Sequence, residues 1–364
     1  MSTDDVATFT VQLTRFLGRD GTPVGPLPPF ASDPANLIPL YRGMILTRAF
    51  DTRAVALQRT GRLGTFASSL GQEAVVVGAA SAMTPDDVLI PSFREQGAQL
   101  WRGVTPVELL QYWGGDERGS DFAGPRHDFP ICVPVGSHVP HAAGVALGLK
   151  LRHQPRAALC VIGDGGTSKG DFYEALNMAG VWTLPLVVVI NNNQWAISVP
   201  RTAQSAAQTL AQKAIAAGIS GQQVDGNDVV AVHAVVAAAL ERARAGGGAS
   251  VIEALTYRLS DHTTADDARR YRADAEVAEH WREEPIARLR HYLISQGAWS
   301  RNDEEQTLAQ AAATMDRAAD AYLSIARQPV TAMFDFTFAE LPSSLQGQRA
   351  QAIAQEAGEE TGDA

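Results

Sequence analysis

The chain has few cysteines and no excess of positive charge. Only two of its 364 residues are cysteines, Cys132 and Cys160, and they provide no disulfide framework. Cys160 lies in an apolar run and is expected to be a small core residue. Neither cysteine has a second Cys or His at metal-ligand spacing. The formal net charge of −10 at pH 7 argues against a nucleic-acid-binding surface.

Long apolar runs are absent as well. No stretch approaches the length of a membrane span, and the first residues have neither the basic start nor the apolar run of a signal peptide. We therefore expect a soluble cytoplasmic protein without a membrane partner. Hydrophobic residues make up 45% of the sequence, which is ample for one large domain or two modest ones.

The sequence divides into four predicted segments. Residues 1–35 are polar and proline-rich, which predicts an extended arm that needs another surface to order it. Residues 36–275 have the alternating apolar runs and helical patterns of an α/β domain. Residues 276–345 predict charged, amphipathic helices, and the acidic tail over 346–364 is expected to be disordered.

Inside the α/β domain, two late helices are predicted over residues 205–217 and 228–245. Asn227 or Asp228 is expected to cap the second of these helices.

Asp164 and Asn193 are the most informative pair of residues. Asp164 follows the apolar run 157–162, Asn193 follows the apolar run 186–190, and residues 171–182 between them have helical spacing. This order predicts two parallel strands joined by a right-handed crossover. Both residues would then lie at the carboxyl ends of strands, where open α/β sheets bind ligands. The predicted fold class is an open, mostly parallel, doubly wound α/β sheet with a helical C-terminal extension.

The residue types at these strand ends suit a metal and an anion. A carboxylate and an amide oxygen are hard ligands for magnesium, which usually retains water or phosphate ligands as well. Gly165 and Gly166 would let backbone N–H groups approach an anion closely. Either cluster alone would also fit an ordinary glycine turn or an asparagine-rich loop, whereas both together are much more specific.

The spacing of these clusters resembles the thiamine diphosphate motif, in which Gly-Asp-Gly precedes Asn-Asn by just under thirty residues. Asn193 lies 29 positions after Asp164. The resemblance implies that Asp164, Asn193 and the backbone carbonyl of Trp195 hold a magnesium ion on the diphosphate.

Residues 37 to about 345 resemble the alpha subunit of the decarboxylating component of a 2-oxo acid dehydrogenase complex. The matching motifs are Gly61–Gly64, Gly71–Ala74, Gly163–Tyr173, Asn192–Pro200, Val224–Gly226, Asp261–Asp267 and Tyr271–Arg272. Bacterial pyruvate dehydrogenases are the most similar type and branched-chain 2-oxo acid dehydrogenases come next, while acetoin dehydrogenase shares the cofactor motifs. The resemblance implies oxidative decarboxylation of a small 2-oxo acid and acyl transfer to a lipoyl protein.

Several site residues follow from the same resemblance. Arg94 is implied to bind the diphosphate, because a guanidinium fork suits phosphate oxygens better than an ordinary surface ion pair does. Phe93 replaces the usual Tyr and lacks its hydroxyl. His262 is implied to contact the diphosphate and to assist acyl transfer to the lipoyl arm, the alternative being a solvated loop histidine. Asp261 beside it is expected to favour the charged imidazole.

The pyrimidine and substrate ends of the site are less defined by the sequence. Val133 and Val135 match a segment whose backbone contacts the aminopyrimidine ring in the family, although ordinary strand valines explain them equally well. Thr65 stands where relatives commonly have Phe near the substrate, so the size of the 2-oxo acid stays open. Ser137 and His138 match a potassium-binding segment imperfectly, and no potassium site is predicted.

One group that the chemistry requires is not found. The pyrimidine ring needs a carboxylate, and Glu73 lies in an alanine-rich helical segment where a structural role is expected. In the family this Glu belongs to a beta subunit, which implies an alpha-two beta-two heterotetramer bound to a lipoyl acyltransferase core. The isolated chain should therefore be inactive.

Two other classes of protein are disfavoured. The sequence from Gly163 to Thr167 is not the Gly-x-Gly-x-x-Gly of a nicotinamide dehydrogenase. A non-catalytic scaffold with the same fold would not need the four polar residues that the chain retains, which are Arg94, Asp164, Asn193 and His262.

Overall fold

The computed structural model describes residues 3–362. Their contacts form two compact units, one on each side of the Asp320–Ala321 bond. The strands of the described residues are β1 Leu13–Thr14, β2 Val88–Ile90, β3 Ala158–Gly163, β4 Leu186–Asn192, β5 Trp195–Ala196, β6 Val199–Pro200, β7 Ser220–Asp225 and β8 Ser250–Leu255. The α-helices are α1 Ile38–Arg59, α2 Glu73–Ser81, α3 Gln96–Arg102, α4 Pro106–Trp113, α5 His138–Leu151, α6 Gly170–Val181, α7 Arg201–Gln204, α8 Lys213–Ala216, α9 Val229–Arg244, α10 Asp274–Trp281, α11 Pro285–Ser295, α12 Arg301–Leu323, α13 Ala332–Asp335 and α14 Ser343–Gly362.

Six strands form one parallel sheet in the order β1-β7-β8-β4-β3-β2, and β5 pairs with β6 in a short antiparallel ribbon. Parallel neighbours need crossover connections, which the helices between the strands provide. The predicted open, parallel α/β fold is confirmed.

The central strands are buried on both faces. Val187 and Val189 of β4 pack into one core with residues of α1, α2, α9 and α11. Val188 and Ile190 point the other way, into a core with residues of α5, α6 and α8. Because successive side chains of a strand alternate between faces, a doubly wound sheet requires a continuous apolar run such as this one.

The helix predicted over residues 205–217 is wrong. The short α7 ends before this range, at Gln204, and the range itself contains only the short α8 after a stretch of irregular backbone. Side chains compete for the backbone in this segment, since the N–H of Thr209 donates to Gln212 Oε1 at 2.7 Å and the N–H of Ala207 donates to Ser205 Oγ at 3.3 Å. The helix over 228–245 is confirmed as α9, and Asp228 caps it by accepting from the N–H of Val230 at 3.0 Å.

The N-terminal arm is ordered by the chain's own sheet. β1 pairs with β7, a strand too polar to be predicted from its sequence. Asp228 Oδ2 accepts from the N–H groups of Phe16 and Leu17, both at 2.7 Å. The arm therefore extends the sheet by one strand and is fixed at the start of α9.

The C-terminal part of the chain differs in detail from the predicted segments. The boundary expected at residue 275 falls inside α10 and within the first compact unit. The tail expected to be disordered forms most of α14, because its Gln, Ala and Glu residues favour a helix; residues 363 and 364 lie outside the described residues. No helix in the described part is long and apolar enough to cross a membrane.

Candidate active site

The sheet brings the two predicted strand ends together. β3 and β4 are parallel neighbours, with Gly163 paired to Asn191, so Asp164 and Asn193 follow the carboxyl ends of adjacent strands. A cavity of about 230 Å³ opens at this edge. Nine of the ten predicted site residues line it, namely Phe93, Arg94, Val135, Asp164, Gly165, Gly166, Asn193, Trp195 and His262. Val133 does not line this cavity and is 52% exposed.

The three candidate metal ligands are held by neighbouring groups. Asp164 is buried, and its Oδ2 accepts from Gln204 Nε2 at 3.1 Å. Asn193 donates from Nδ2 to Gln72 Oε1 at 3.0 Å, and its Oδ1 accepts from the N–H of Trp195 at 3.2 Å. Burial raises the pKa of Asp164, because a low-dielectric environment disfavours the charged carboxylate. No group of three His, Cys, Asp or Glu residues suited to a metal occurs within residues 3–362.

The backbone around these ligands is tightly constrained. A Cβ at Gly165 would collide with Ala196, and one at Gly166 would lie 2.7 Å from Ile162 Cδ1. Gln194 and Ile197 both have positive φ, at 73° and 54°, although neither is glycine. Such left-handed residues are uncommon and cluster at functional sites.

Two buried arginines supply positive charge to the same edge. Arg94 donates from Nη1 to the Ser68 carbonyl at 2.6 Å and from Nη2 to the His262 carbonyl at 2.6 Å. Arg258 is fully buried and donates to the Trp195 carbonyl at 3.4 Å and to the Ile197 carbonyl at 2.9 Å. Within residues 3–362, neither guanidinium has a carboxylate ion-pair partner. Burial, followed by the charge of Arg258, lowers the pKa of Arg94 to about 10.

His262 lies beside both arginines and is neutral. Its Nδ1 accepts from Arg94 Nη2 at 2.9 Å, so the ring proton is on Nε2. Burial and the charges of Arg94 and Arg258 lower the pKa of His262 to about 4. The expectation that Asp261 favours a charged imidazole is wrong, because Asp261 Oδ1 accepts from the N–H of Ala268 at 2.9 Å and shapes the loop instead.

The site contains buried polar atoms without partners. Gln72 Nε2 and Asn191 Oδ1 are both buried, both belong to residues that line the cavity, and neither has a hydrogen-bond partner among residues 3–362. Buried polar groups of this kind cost free energy unless a ligand or water satisfies them. Together with the buried Asp164 carboxylate and two guanidiniums that lack carboxylate partners within residues 3–362, they fit an anionic ligand accompanied by a cation, which is the chemistry of a magnesium diphosphate.

The sequence did not predict three supporting residues. Gln72 belongs to the Gly71–Ala74 motif, but nothing in that motif indicated a contact with Asn193. Arg258 gave a weaker signal, as an arginine shortly after a sheet strand. Gln204 gave no signal, since its position depends on the irregular segment around α7.

Glu73, the carboxylate considered for the pyrimidine ring, has the structural role that was expected. It is fully buried, its Oε1 pairs with Arg48 Nε at 2.5 Å, and its Oε2 accepts from the N–H of Gly71 at 2.9 Å. Gly71 itself has a φ of 90°, and a Cβ there would lie 2.5 Å from the Tyr257 carbonyl. Glu73 thus fixes the entry to α2 and lies outside the residues that line the cavity.

Comparison with known proteins identifies the class to which this fold and site belong. The Dehydrogenase E1 component family matches residues 41–326, and the chain belongs to that family. The 3-methyl-2-oxobutanoate dehydrogenase subunit alpha of Mycobacterium tuberculosis is 42% identical over 342 residues, which cover 94% of this chain and 93% of that protein. The pyruvate dehydrogenase E1 component subunit alpha of Staphylococcus epidermidis is 38% identical over 336 residues, which cover 92% and 90%. That of Staphylococcus aureus is 38% identical over 311 residues, which cover 85% and 84%.

These matches define the particular subunit. The chain is the alpha subunit of a 2-oxo acid dehydrogenase, an oxidoreductase. Enzymes of this family generally use thiamine diphosphate, and their alpha subunits generally work with a beta subunit and the core of a larger complex. The resemblance to this family is confirmed, while relatives of both the pyruvate and the branched-chain type leave the 2-oxo acid to a direct test.

Proposed function

We propose that this chain binds the diphosphate of thiamine diphosphate through magnesium and, with a beta subunit, catalyses the oxidative decarboxylation of a small 2-oxo acid and acyl transfer to a lipoyl protein. The observation that supports this proposal most strongly is that candidate metal ligands and buried arginines lie together at one edge of the sheet. Asp164 and Asn193 follow adjacent strands, and the buried Arg94 and Arg258 lie beside them without carboxylate partners in the described part of the chain.

Each lining residue has a proposed role. The Asp164 carboxylate, the Asn193 amide oxygen and the Trp195 carbonyl would bind magnesium. Arg94 and the N–H groups of Gly165 and Gly166 would bind diphosphate oxygens. The bound cofactor supplies the electron sink for carbon–carbon cleavage, and the protein supplies binding and orientation.

The apolar residues have a more limited role in the proposal. Phe93 stacks edge-on against His262, with ring centroids 6.1 Å apart, and has no hydroxyl to offer a phosphate. Val135 lies at the rim of the cavity, whereas Val133 is exposed and would reach the pyrimidine ring only through its backbone.

His262 is proposed to act as a neutral hydrogen-bond donor. Because its Nδ1 accepts from Arg94, its Nε2–H is free to donate to a phosphate or to the departing acyl group. Its depressed pKa keeps the ring neutral near pH 7, so that it acts as a hydrogen-bond donor and not as a second cation.

Pyruvate is the proposed substrate, and 3-methyl-2-oxobutanoate is the second candidate because a relative named for it is 42% identical to this chain. A panel of 2-oxo acids on the enzyme reconstituted with its beta subunit separates the two. A kcat/KM for pyruvate at least about tenfold above that for 3-methyl-2-oxobutanoate supports the first proposal, and the reverse order supports the second.

The metal site is tested by Asp164→Ala, with Asp171→Ala as the matched control. Asp171 is also an aspartate near the start of an element, but its side chain is 43% exposed. Calorimetry with the reconstituted assembly should detect no magnesium-dependent cofactor binding for Asp164→Ala and unchanged binding for Asp171→Ala. Unchanged affinity in a folded Asp164→Ala variant would refute the metal assignment.

The split site predicts an obligate assembly, and we propose an alpha-two beta-two heterotetramer bound to a lipoyl acyltransferase core. The chain purified alone should not decarboxylate any 2-oxo acid, whereas the mixture with its beta subunit should have the mass of a heterotetramer and full turnover. Turnover by the isolated chain would contradict the proposal.

A further inference from the structure

A buried aspartate outside the cofactor cavity controls the turn against which Arg94 is placed. Asp51 lies in α1, is 3% exposed and does not line the cavity that contains Asp164. Its Oδ2 accepts from Ser68 Oγ at 2.7 Å, from the Ser69 N–H at 2.6 Å and from Ser69 Oγ at 3.1 Å. Three donors on one carboxylate oxygen fix both the backbone and the side chains of this turn.

The Ser68–Ser69 turn orients Arg94, the arginine that is proposed to bind the diphosphate. The carbonyl of Ser68 accepts from Arg94 Nη1 at 2.6 Å, while Nη2 of the same guanidinium contacts the Nδ1 and carbonyl of His262. Gln96 adds a second tie, donating to the Ala67 carbonyl at 3.0 Å and to the Phe93 carbonyl at 3.1 Å. The path from Asp51 to Arg94 therefore consists of short, buried hydrogen bonds.

We propose that Asp51 is a positioning residue for the cofactor site, which acts through the Ser68–Ser69 turn on Arg94 and His262. This inference rests on the proposed function, since it assumes that Arg94 binds the diphosphate. Asp51 does not line the cavity that contains Asp164, and its contribution is to hold the Ser68 carbonyl where it fixes one arm of the guanidinium.

Charge supports the same assignment. Arg94 lies next to Arg258, and this repulsion adds to the cost of burying it. Burial raises the pKa of both Glu95 and Asp51 to about 7. When ionised, the carboxylates of Glu95, Asp51 and Asp164 oppose that cost by favouring the charged guanidinium. Glu95 Oε2 also accepts from the N–H of Arg94 at 3.1 Å, whereas Asp51 is the member of this group that holds the turn whose carbonyl accepts from the Arg94 guanidinium.

The test uses the reconstituted enzyme with two substitutions of the same residue. Asp51→Ala removes the acceptor and should weaken thiamine diphosphate binding in the presence of magnesium about 10- to 100-fold, the usual scale for a supporting residue of a metal site. The KM for the cofactor should rise by a similar factor, while kcat at saturating cofactor should change less than about threefold. Asp51→Asn keeps one acceptor oxygen and should restore the affinity to within about threefold of the wild type.

Asp87→Ala is the matched control. Asp87 is also fully buried and also accepts a backbone N–H, that of Ala157 at 2.9 Å, but it precedes β2 at the opposite edge of the sheet. Its loss should lower thermal stability and leave the cofactor affinity unchanged. A purely structural role for Asp51 would give the same pattern and would overturn the inference.

Arg94→Ala separates failure of this inference from failure of the proposed function. If Arg94→Ala does not weaken cofactor binding, the assignment of the diphosphate site is wrong. If Arg94→Ala weakens it and folded Asp51→Ala does not, only the positioning role is wrong. Should Asp51→Ala not fold, the double variant Ser68→Ala, Ser69→Ala removes two of the three donors and should weaken binding about fivefold; unchanged affinity there would overturn the inference.

Discussion

Buried charges are paired differently in two regions of the chain. One is the anchor of the N-terminal arm, formed by Arg15, Asp225 and Arg288, and the other is the cofactor cleft, which is the cavity beside Asp164 together with Arg94 and Arg258. In the anchor, Asp225 Oδ2 accepts from Arg15 Nε at 2.6 Å and from the buried Arg288 Nη1 at 2.8 Å. In the cleft, Arg94 and Arg258 are just as buried and donate to carbonyls and to His262, without a carboxylate ion-pair partner among residues 3–362. Both regions lie at the carboxyl edge of the same sheet, since Asp225 ends β7 as Gly163 ends β3.

The difference distinguishes a structural cluster from a binding site. A buried charge that lacks an opposite charge raises the free energy of the folded protein. Where the sheet completes the pair internally, as at Asp225, the cluster fixes the arm to the core. Where it leaves Arg94 and two orphaned polar atoms at one cavity, with Arg258 close by, the proposed magnesium diphosphate would supply the missing charges and hydrogen bonds.

The largest expected effect is the loss of stability on breaking the paired cluster. Asp225→Ala would leave the guanidinium of Arg288, only 2% exposed, without its carboxylate, at a cost of about 3–5 kcal/mol in the free energy of unfolding. Denaturant unfolding of the chain measures this loss. The matched variant Asp335→Ala removes the partner of Arg349 in an ion pair whose side chains are 40% and 34% exposed, and it should cost less than about 1 kcal/mol. Equal losses for the two variants would mean that the buried Asp225–Arg288 pair stabilises the chain no more than an exposed ion pair does.

The second effect concerns catalysis in the cleft. His262→Ala should slow acyl transfer to the lipoyl protein by about a hundredfold, the scale of a lost transition-state hydrogen-bond donor, because the Nε2–H donor disappears. Decarboxylation measured with an artificial electron acceptor should fall much less, since the cofactor drives that step. Equal losses in both assays at saturating cofactor would place His262 in cofactor binding or in the first step instead.

Much of this arrangement was predictable from the sequence, because the informative residues lie where strands end. The apolar runs before Asp164 and Asn193 determine both the parallel sheet and the edge at which these residues meet. The spacing between Asp164 and Asn193 can be read directly from the sequence, without knowledge of distant contacts. Asp228 was likewise predictable as a helix cap, since it stands immediately before an apolar helical pattern.

The unpredicted features depend on distant contacts. β7 has the sequence Ser-Gly-Gln-Gln-Val-Asp, which does not resemble a strand until β1 and β8 pair with it. The low pKa of His262 could not be inferred from its neighbour Asp261, because Arg94, 168 positions earlier, sets it after burial does. The neighbouring Asp261 suggested a raised pKa for His262, whereas the fold places Arg94 and Arg258 beside the ring and lowers it.

A third, smaller effect tests how the arm is held. Asp228 caps α9 with Oδ1 and binds the arm with Oδ2, so that one carboxylate satisfies N–H groups of both segments. Asp228→Asn would place an amide N–H₂ against one set of donors and should cost about 1–2 kcal/mol of stability, with unchanged cofactor affinity. Faster protease cleavage within residues 3–20 would accompany the loss. A weaker cofactor affinity would show that the anchor and the cleft are coupled.

The smallest effect is the part of the pH dependence of stability that His262 contributes. The pKa of His262 is about 4 in the folded chain, against an ordinary value near 6.5, so the unfolded chain binds more protons between these values. Stability from this group is therefore complete above about pH 6.5 and is lost as the pH falls towards 4. Without cofactor, the wild-type chain should lose more stability between pH 7 and pH 5 than His262→Gln does, as measured by the shift in unfolding midpoint. His138 and His233, whose pKa values burial also lowers, remain in both proteins and cancel in the comparison. Identical shifts for the two proteins would mean that burial, Arg94 and Arg258 do not keep His262 neutral.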